Sequence, residues 1–283
     1  MTTTSRPRAA HPATNGRDDR LLAPTRWTAI AVVPVLVAAF VILYGFPGRT
    51  HQLWGWTIHP DMSALIMGGG YLSGAYFFTR VAREREWHRV SAGFVGTTVF
   101  SGILLVTTIL HWDRFNHDHV SFWAWLLLYG TTPFLLPILW AKNERMDPGP
   151  ADGEVVVPQP LRLAVGVGGA LQLAVAAVMF FWPHTAARFW PWPLDAATSR
   201  SLSAFVAFPA VTWLWFLRER RWSCFRITEH TATIGLVLLG LAALRVHDDF
   251  RSDAWFAGYL VAIVVAVGLN VALYAAMERR RTR

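Results

Sequence analysis

Lysine and cysteine each occur once in this 283-residue sequence, as Lys142 and Cys224. A lone cysteine excludes an intrachain disulfide and leaves a thiol-disulfide enzyme without its second sulfur. Charge is also scarce. Only 16% of residues are Asp, Glu, Lys or Arg against 54% hydrophobic ones, too few to clothe an ordinary soluble domain. The long apolar runs lack ionisable groups near their middles, which argues against a proton pump built on buried carboxylates. Nine of the ten histidines lie in tails, loops or run ends, and His230 is itself terminal, so a haem held by two mid-span imidazoles finds no ligands. The runs show no strand-like alternation, which sets aside a membrane barrel. No basic cluster is interleaved with aromatics on a soluble module, so the net charge of +8 does not indicate nucleic acid.

What is present is a set of eight apolar segments, at roughly 27 to 46, 62 to 80, 91 to 110, 121 to 141, 162 to 182, 200 to 217, 230 to 246 and 254 to 277. A bilayer core of about 30 Å takes roughly 20 helical residues, and lipid cannot satisfy free backbone groups. The expected fold class is therefore all-α and transmembrane, with eight helices and the lipid bilayer as partner. Arginine sets the orientation. Twenty of the 26 Lys and Arg fall in alternate loops and tails, among them Arg80, Arg83, Arg85 and Arg89, then Arg218, Arg220, Arg221 and Arg226. By the positive-inside rule these face the cytoplasm, with both termini, and the protein belongs in a bacterial inner membrane. Residues 1–26 are polar, rich in Pro and Arg, and read as a disordered cytoplasmic tail without a cleavable signal.

One short pattern occurs twice. Leu53-Trp54-Gly55-Trp56 before one apolar segment returns as Phe189-Trp190-Pro191-Trp192 before another, 136 residues on. The same offset carries Pro47 onto Pro183, His111 onto His247 and Asp113 onto Asp249. This predicts two copies of one four-helix unit, 27–141 and 162–277. An even number of helices per copy makes the repeat parallel rather than inverted. The Pro- and Gly-rich stretch 142–161 reads as a flexible cytoplasmic linker, and 278–283 as a basic tail.

Residues able to carry chemistry gather on the outer face. His111, Asp113, His247 and Asp249 are ligand types for a divalent metal, which would be the cofactor if the two copies brought them together. The plainer reading is surface pairing with Arg114 or Arg251. Trp54, Trp56, Trp190 and Trp192 read either as part of an interfacial aromatic belt or as the rim of a cavity whose stacked indoles receive a ligand. Gly69, in the run Gly68 to Gly70, and Pro209 lie at roughly matching depths and would loosen the backbone around that ligand.

With Trp-x-Trp followed by a helix bearing Ser63 or Ser199, and with His111-x-Asp113, the chain resembles uncharacterised integral membrane proteins of high-GC bacteria. From about Trp27 onward the resemblance implies the same topology; it implies no reaction, cofactor or site residue. Two readings follow from the residues. The first is a non-enzymatic protein that binds or moves a small solute or lipid between its repeats. The alternative is an outer-face metal-dependent enzyme, and a scaffold without a ligand fits the sequence as well.

Overall fold

The computed structural model describes residues 17–151 and 153–281. All eight apolar runs are long helices: α1 (Ala23–Gly45), α3 (Asp61–Arg83), α4 (His88–Leu110), α5 (Val120–Glu144), α6 (Gln159–Phe181), α8 (Ala196–Trp215), α9 (Arg226–Arg245) and α10 (Asp253–Arg281). Two short helices, α2 (Thr50–Leu53) and α7 (Pro183–Phe189), precede the Trp-x-Trp stretches. Among the described residues there is no strand, only two isolated bridges. Six of the long helices combine the length and hydropathy needed to cross a membrane, which fits a multi-pass membrane protein. Large apolar side chains such as Leu127, Leu171, Val264 and Leu269 stand about 70% exposed on these helices, a surface suited to lipid rather than water.

The exceptions, α3 and α8, explain the packing. α3 carries Asp61, Arg80, Arg83 and the run Gly68 to Gly70, and α8 carries Thr198, Ser199, Arg200, Ser201 and Ser203. Such helices gain little from lipid and much from close protein contact. Both are enclosed. α3 packs between α1 and α9, and α10 flanks α9, giving one layer in the order α1, α3, α9, α10. α8 packs between α6 and α4, and α5 flanks α4, giving a second layer in the order α6, α8, α4, α5. Each layer thus takes helices from both halves of the chain, and the middle helices are exchanged.

Small residues set the contact distances. A Cβ on Gly68 would stand 2.8 Å from the backbone nitrogen of Tyr44 on α1. One on Gly96 would stand 2.8 Å from the carbonyl oxygen of Phe208, which fixes the approach of α4 to α8.

Polar contacts at the two ends come in matching sets. At the basic end, Leu21 N–H donates to the Arg85 carbonyl at 2.8 Å and Val157 N–H to the Arg220 carbonyl at 2.9 Å. There too Trp87 Nε1 donates to Glu144 at 3.0 Å, and Trp222 Nε1 to Glu278 at 2.8 Å. At the aromatic end Asn116 N–H donates to the Gly55 carbonyl at 2.6 Å and Arg251 N–H to the Pro191 carbonyl at 2.9 Å. Trp56 packs on Phe115 and Trp192 on Phe250, with ring centroids 4.8 Å and 5.4 Å apart.

The spacing of these similar contacts is not constant. Trp56 and Trp192 are 136 residues apart, Phe115 and Phe250 are 135, and Glu144 and Glu278 are 134. His247 therefore opens the turn (His247–Asp249) that answers Trp112–Arg114, and its place matches Trp112 rather than His111.

Two segments expected to be loose are held. The disordered tail assigned to 1–26 lies outside the described residues as far as 16; beyond that, Asp19 and Leu21 bond to the loop after α3. Leu22 N–H donates to Asn143 Oδ1 at 2.9 Å, so α1 is capped from α5. In the segment 142–161, Arg221 clamps Asp147 at 2.5 Å and Glu219 at 2.7 Å, all three side chains 15% exposed or less. Burial alone would raise both carboxylates, but the Arg221 guanidinium holds Asp147 and Glu219 below their usual range.

Two outcomes follow for thermal unfolding in detergent. Gly68→Ala should cost about 1–3 kcal/mol through the Tyr44 backbone, whereas Gly102→Ala, with nothing within 4 Å, should be neutral. Arg221→Leu should cost about 3–5 kcal/mol by stranding two buried carboxylates. Because the folded carboxylates ionise below their unfolded values near 4, that contribution is complete at neutral pH and fades as pH falls through the depressed range. A wild type with no acid-sensitive loss relative to Arg221→Leu would contradict the clamp.

Candidate functional site

Between the two layers the packing stops short of closure. Gly70, Gly74, Gly168 and Gly235, with Ala232, Ala262 and Ala266, leave a cavity of about 750 Å³ that touches all eight long helices. Aromatic side chains furnish much of its wall. Phe205 meets Phe100 edge-on at 4.9 Å and Tyr71 at 5.7 Å, and Tyr129 OH donates to Tyr71 OH at 3.0 Å.

Most polar groups on the wall are already satisfied by helix carbonyls. Ser73 donates to Gly69 at 2.9 Å, Thr97 to Gly93 at 2.7 Å, Thr132 to Leu128 at 2.7 Å and Thr231 to Ile227 at 2.8 Å. The amide of Gln172 donates to the Val206 carbonyl at 3.1 Å. Glu229, in the first turn of α9, differs from these. It is 2% exposed and is the one charged residue on the cavity wall among the described residues. Asn270 on α10 donates to its Oε2 at 2.5 Å, and Asn270 is oriented in turn by Thr233 Oγ1 at 2.6 Å.

Of the residues expected to hold a ligand, Pro209 lies on this wall. Gly69 does not; its neighbour Gly70 does, while Gly69 packs on Leu238 of α9. The tryptophans form no rim. Trp54 and Trp56 are buried with Trp125, Trp56 at 4.8 Å edge-on, and Trp192 is fully buried, its Nε1 donating to Ser63 at 3.1 Å. Trp190 stands edge-on to Trp192 at 5.3 Å. The exposed indoles at this end are instead those of Trp112, Trp123, Trp182 and Trp255.

The outer-face metal set is dispersed. His111 Nε2 accepts from Arg200 at 2.8 Å, and burial together with Arg200 lowers its pKa, favouring the neutral imidazole. Asp249 Oδ2 accepts from Met62 N–H at 2.7 Å, capping α3 from the opposite half. His247 faces Asp248 at 2.8 Å and Asp253 at 3.5 Å, and Asp113 is exposed. The single group of three or more potential metal ligands among the described residues is Asp19, Glu86 and His88, with ligand atoms within 4.8 Å. There Asp19 and His88 bond each other and Glu86 holds Arg89 at 2.5 Å. Cys224 is fully buried, and burial pushes its thiol well above the ordinary range, the opposite of an activated nucleophile.

Sequence reasoning missed Glu229 and Asn270. Glu229 stands at the start of an apolar run, and the available signal was Asn270, an amide well inside the last one. Comparison with protein-family models, curated proteins and solved structures found no match.

The Asp249 cap has a pH signature. Burial and the carboxylates of Asp61 and Asp248 raise its pKa, so stability should fall as pH rises from about 4 through the raised value. Asp249→Asn keeps an acceptor for Met62 and should flatten that decline in melting experiments. Parallel pH curves for the two proteins would contradict the assignment.

Proposed function

We propose that the chain spans a bacterial inner membrane eight times as two parallel copies of a four-helix unit, both termini cytoplasmic, and binds or moves a small apolar solute or lipid in the cavity between its layers. The cavity carries this reading. Its volume of about 750 Å³ falls within the range of roughly 300–1,000 Å³ usual for small-molecule sites, and its wall is mainly apolar with a few convergent polar groups. All eight long helices contribute to it, which supports a ligand site at the junction of the two copies, where transporters built from repeats hold their substrates.

The duplication is supported by the matching contacts at both ends, which keep chain order while their separation drifts from 136 to 134 residues. Inclusion of α3 and α8 among the spans is supported by their lengths of 23 and 20 residues and by their burial between more apolar helices. The arginine-rich loops support the orientation. A metal-dependent enzyme on the outer face has less support, because His111 and Asp249 already have other partners.

The test is occlusion. Ala266→Trp, from α10, should weaken binding of triphenylphosphine oxide, a compact neutral apolar probe, at least tenfold in lipid nanodiscs, with an unchanged melting temperature. Probe binding that is absent from the wild type, or equal in the variant, would sink the cavity reading.

A further inference from the structure

We infer that the cavity is a site for lipophilic organic cations, with Glu229 as the counter-charge; this rests on the cavity reading above and deepens it. Three observations converge. Glu229 is 2% exposed, on the wall of an otherwise uncharged cavity. Its one side-chain partner is a neutral amide, Asn270 Nδ2, and no Lys, Arg or His lies within ion-pair distance among the described residues. The nearest basic residues on its own helix are engaged elsewhere: Arg226 with Glu278 at 2.8 Å and His230 with Tyr76 at 3.2 Å.

A carboxylate in apolar surroundings without a cation is costly, and in membrane helices such a residue marks a functional site unless something compensates it. Asn270 supplies one hydrogen bond but no charge. The held orientation of that amide, fixed by Thr233, aims the carboxylate consistently, and the positive end of the α9 dipole offsets only part of its charge. A proton or a cationic ligand completes the balance, and only the ligand also fills the volume beside it.

The rest of the wall suits the same chemistry. Tyr71, Phe100, Phe205 and Phe208 form an edge-to-face nest, Phe208 lying 6.4 Å from Phe100. Aromatic faces attract cations and apolar bodies alike, and delocalised or quaternary ammonium-like ions benefit from both. Small anions and acidic lipids are disfavoured by the same carboxylate. Hydroxyls whose protons are tied to helix carbonyls offer little to a phosphate, which requires free donors. The ligand class is therefore a bulky monovalent cation with an apolar or aromatic body.

The probes are tetraphenylphosphonium and its neutral relative triphenylphosphine oxide, with binding to the protein in nanodiscs measured by equilibrium dialysis. The wild type should bind the cation at least tenfold more tightly than the neutral compound. Glu229→Gln should erase that preference by weakening the cation alone, and Glu229→Asp should restore part of it. Equal affinities for the two probes in the wild type, or a preference that persists in Glu229→Gln, would overturn the inference while leaving the cavity in place. If Ala266→Trp left the binding of both probes untouched, the cavity itself would be refuted. The wild-type comparison needs no variant, so the inference stays testable even if Glu229→Gln misfolds.

Discussion

Two helices too polar to face lipid must be surrounded by protein, and the architecture follows from that requirement. α3 carries serines, glycines and arginines, and α8 carries three serines and an arginine, in lengths that would otherwise cross a bilayer. Each is covered on one side by its own half and on the other by the half it does not belong to. The glycines make this possible at short range, Gly68 against Tyr44 and Gly96 against Phe208. Once α3 sits against α9 and α8 against α4, the outer helices α1, α5, α6 and α10 are left to present valine and leucine outward. The cavity is what remains between two layers whose small residues face one another.

The ends of the molecule use different physics. At the basic end, buried ion pairs and indole-carboxylate bonds fix the connections, as in Arg221 with Asp147 and Trp87 with Glu144. At the aromatic end, rings packed edge to face take that role, and α3 is capped from the other half of the chain, Asp249 accepting from Met62. Each interaction type suits its site. Charged groups are bonded where arginines abound, and the Trp-x-Trp connections bury their aromatic area against neighbouring rings.

Much of the fold was legible in the sequence, because helix existence depends on the length of apolar runs, and all eight runs became long helices. The site was not. Trp54 and Trp182 look alike in a sequence, yet one is 6% exposed and the other 60%, because burial of an interfacial indole depends on which helix lies beneath it. A fixed offset put His111 opposite His247, whereas the two similar turns, Trp112–Arg114 and His247–Asp249, set His247 level with Trp112. Glu229 resembled a solvated helix start because its concealment comes from α10, far along the chain. Contacts made across the exchange of middle helices have no local trace.

That exchange also bears on synthesis. While the first half is being inserted, α3 has α1 beside it but not α9, and α4 has α5 but not α8. The ribosome must deliver the remaining helices before either layer can close. During that interval Tyr76 on α3, whose partner His230 lies on α9, depends on lipid headgroups, water or the insertion machinery for company, and the first half on its own is an unfinished object rather than a small version of the whole. Assembly is thus tied to the completion of the chain, and a truncated product would expose polar helix faces that quality control in the membrane is able to recognise.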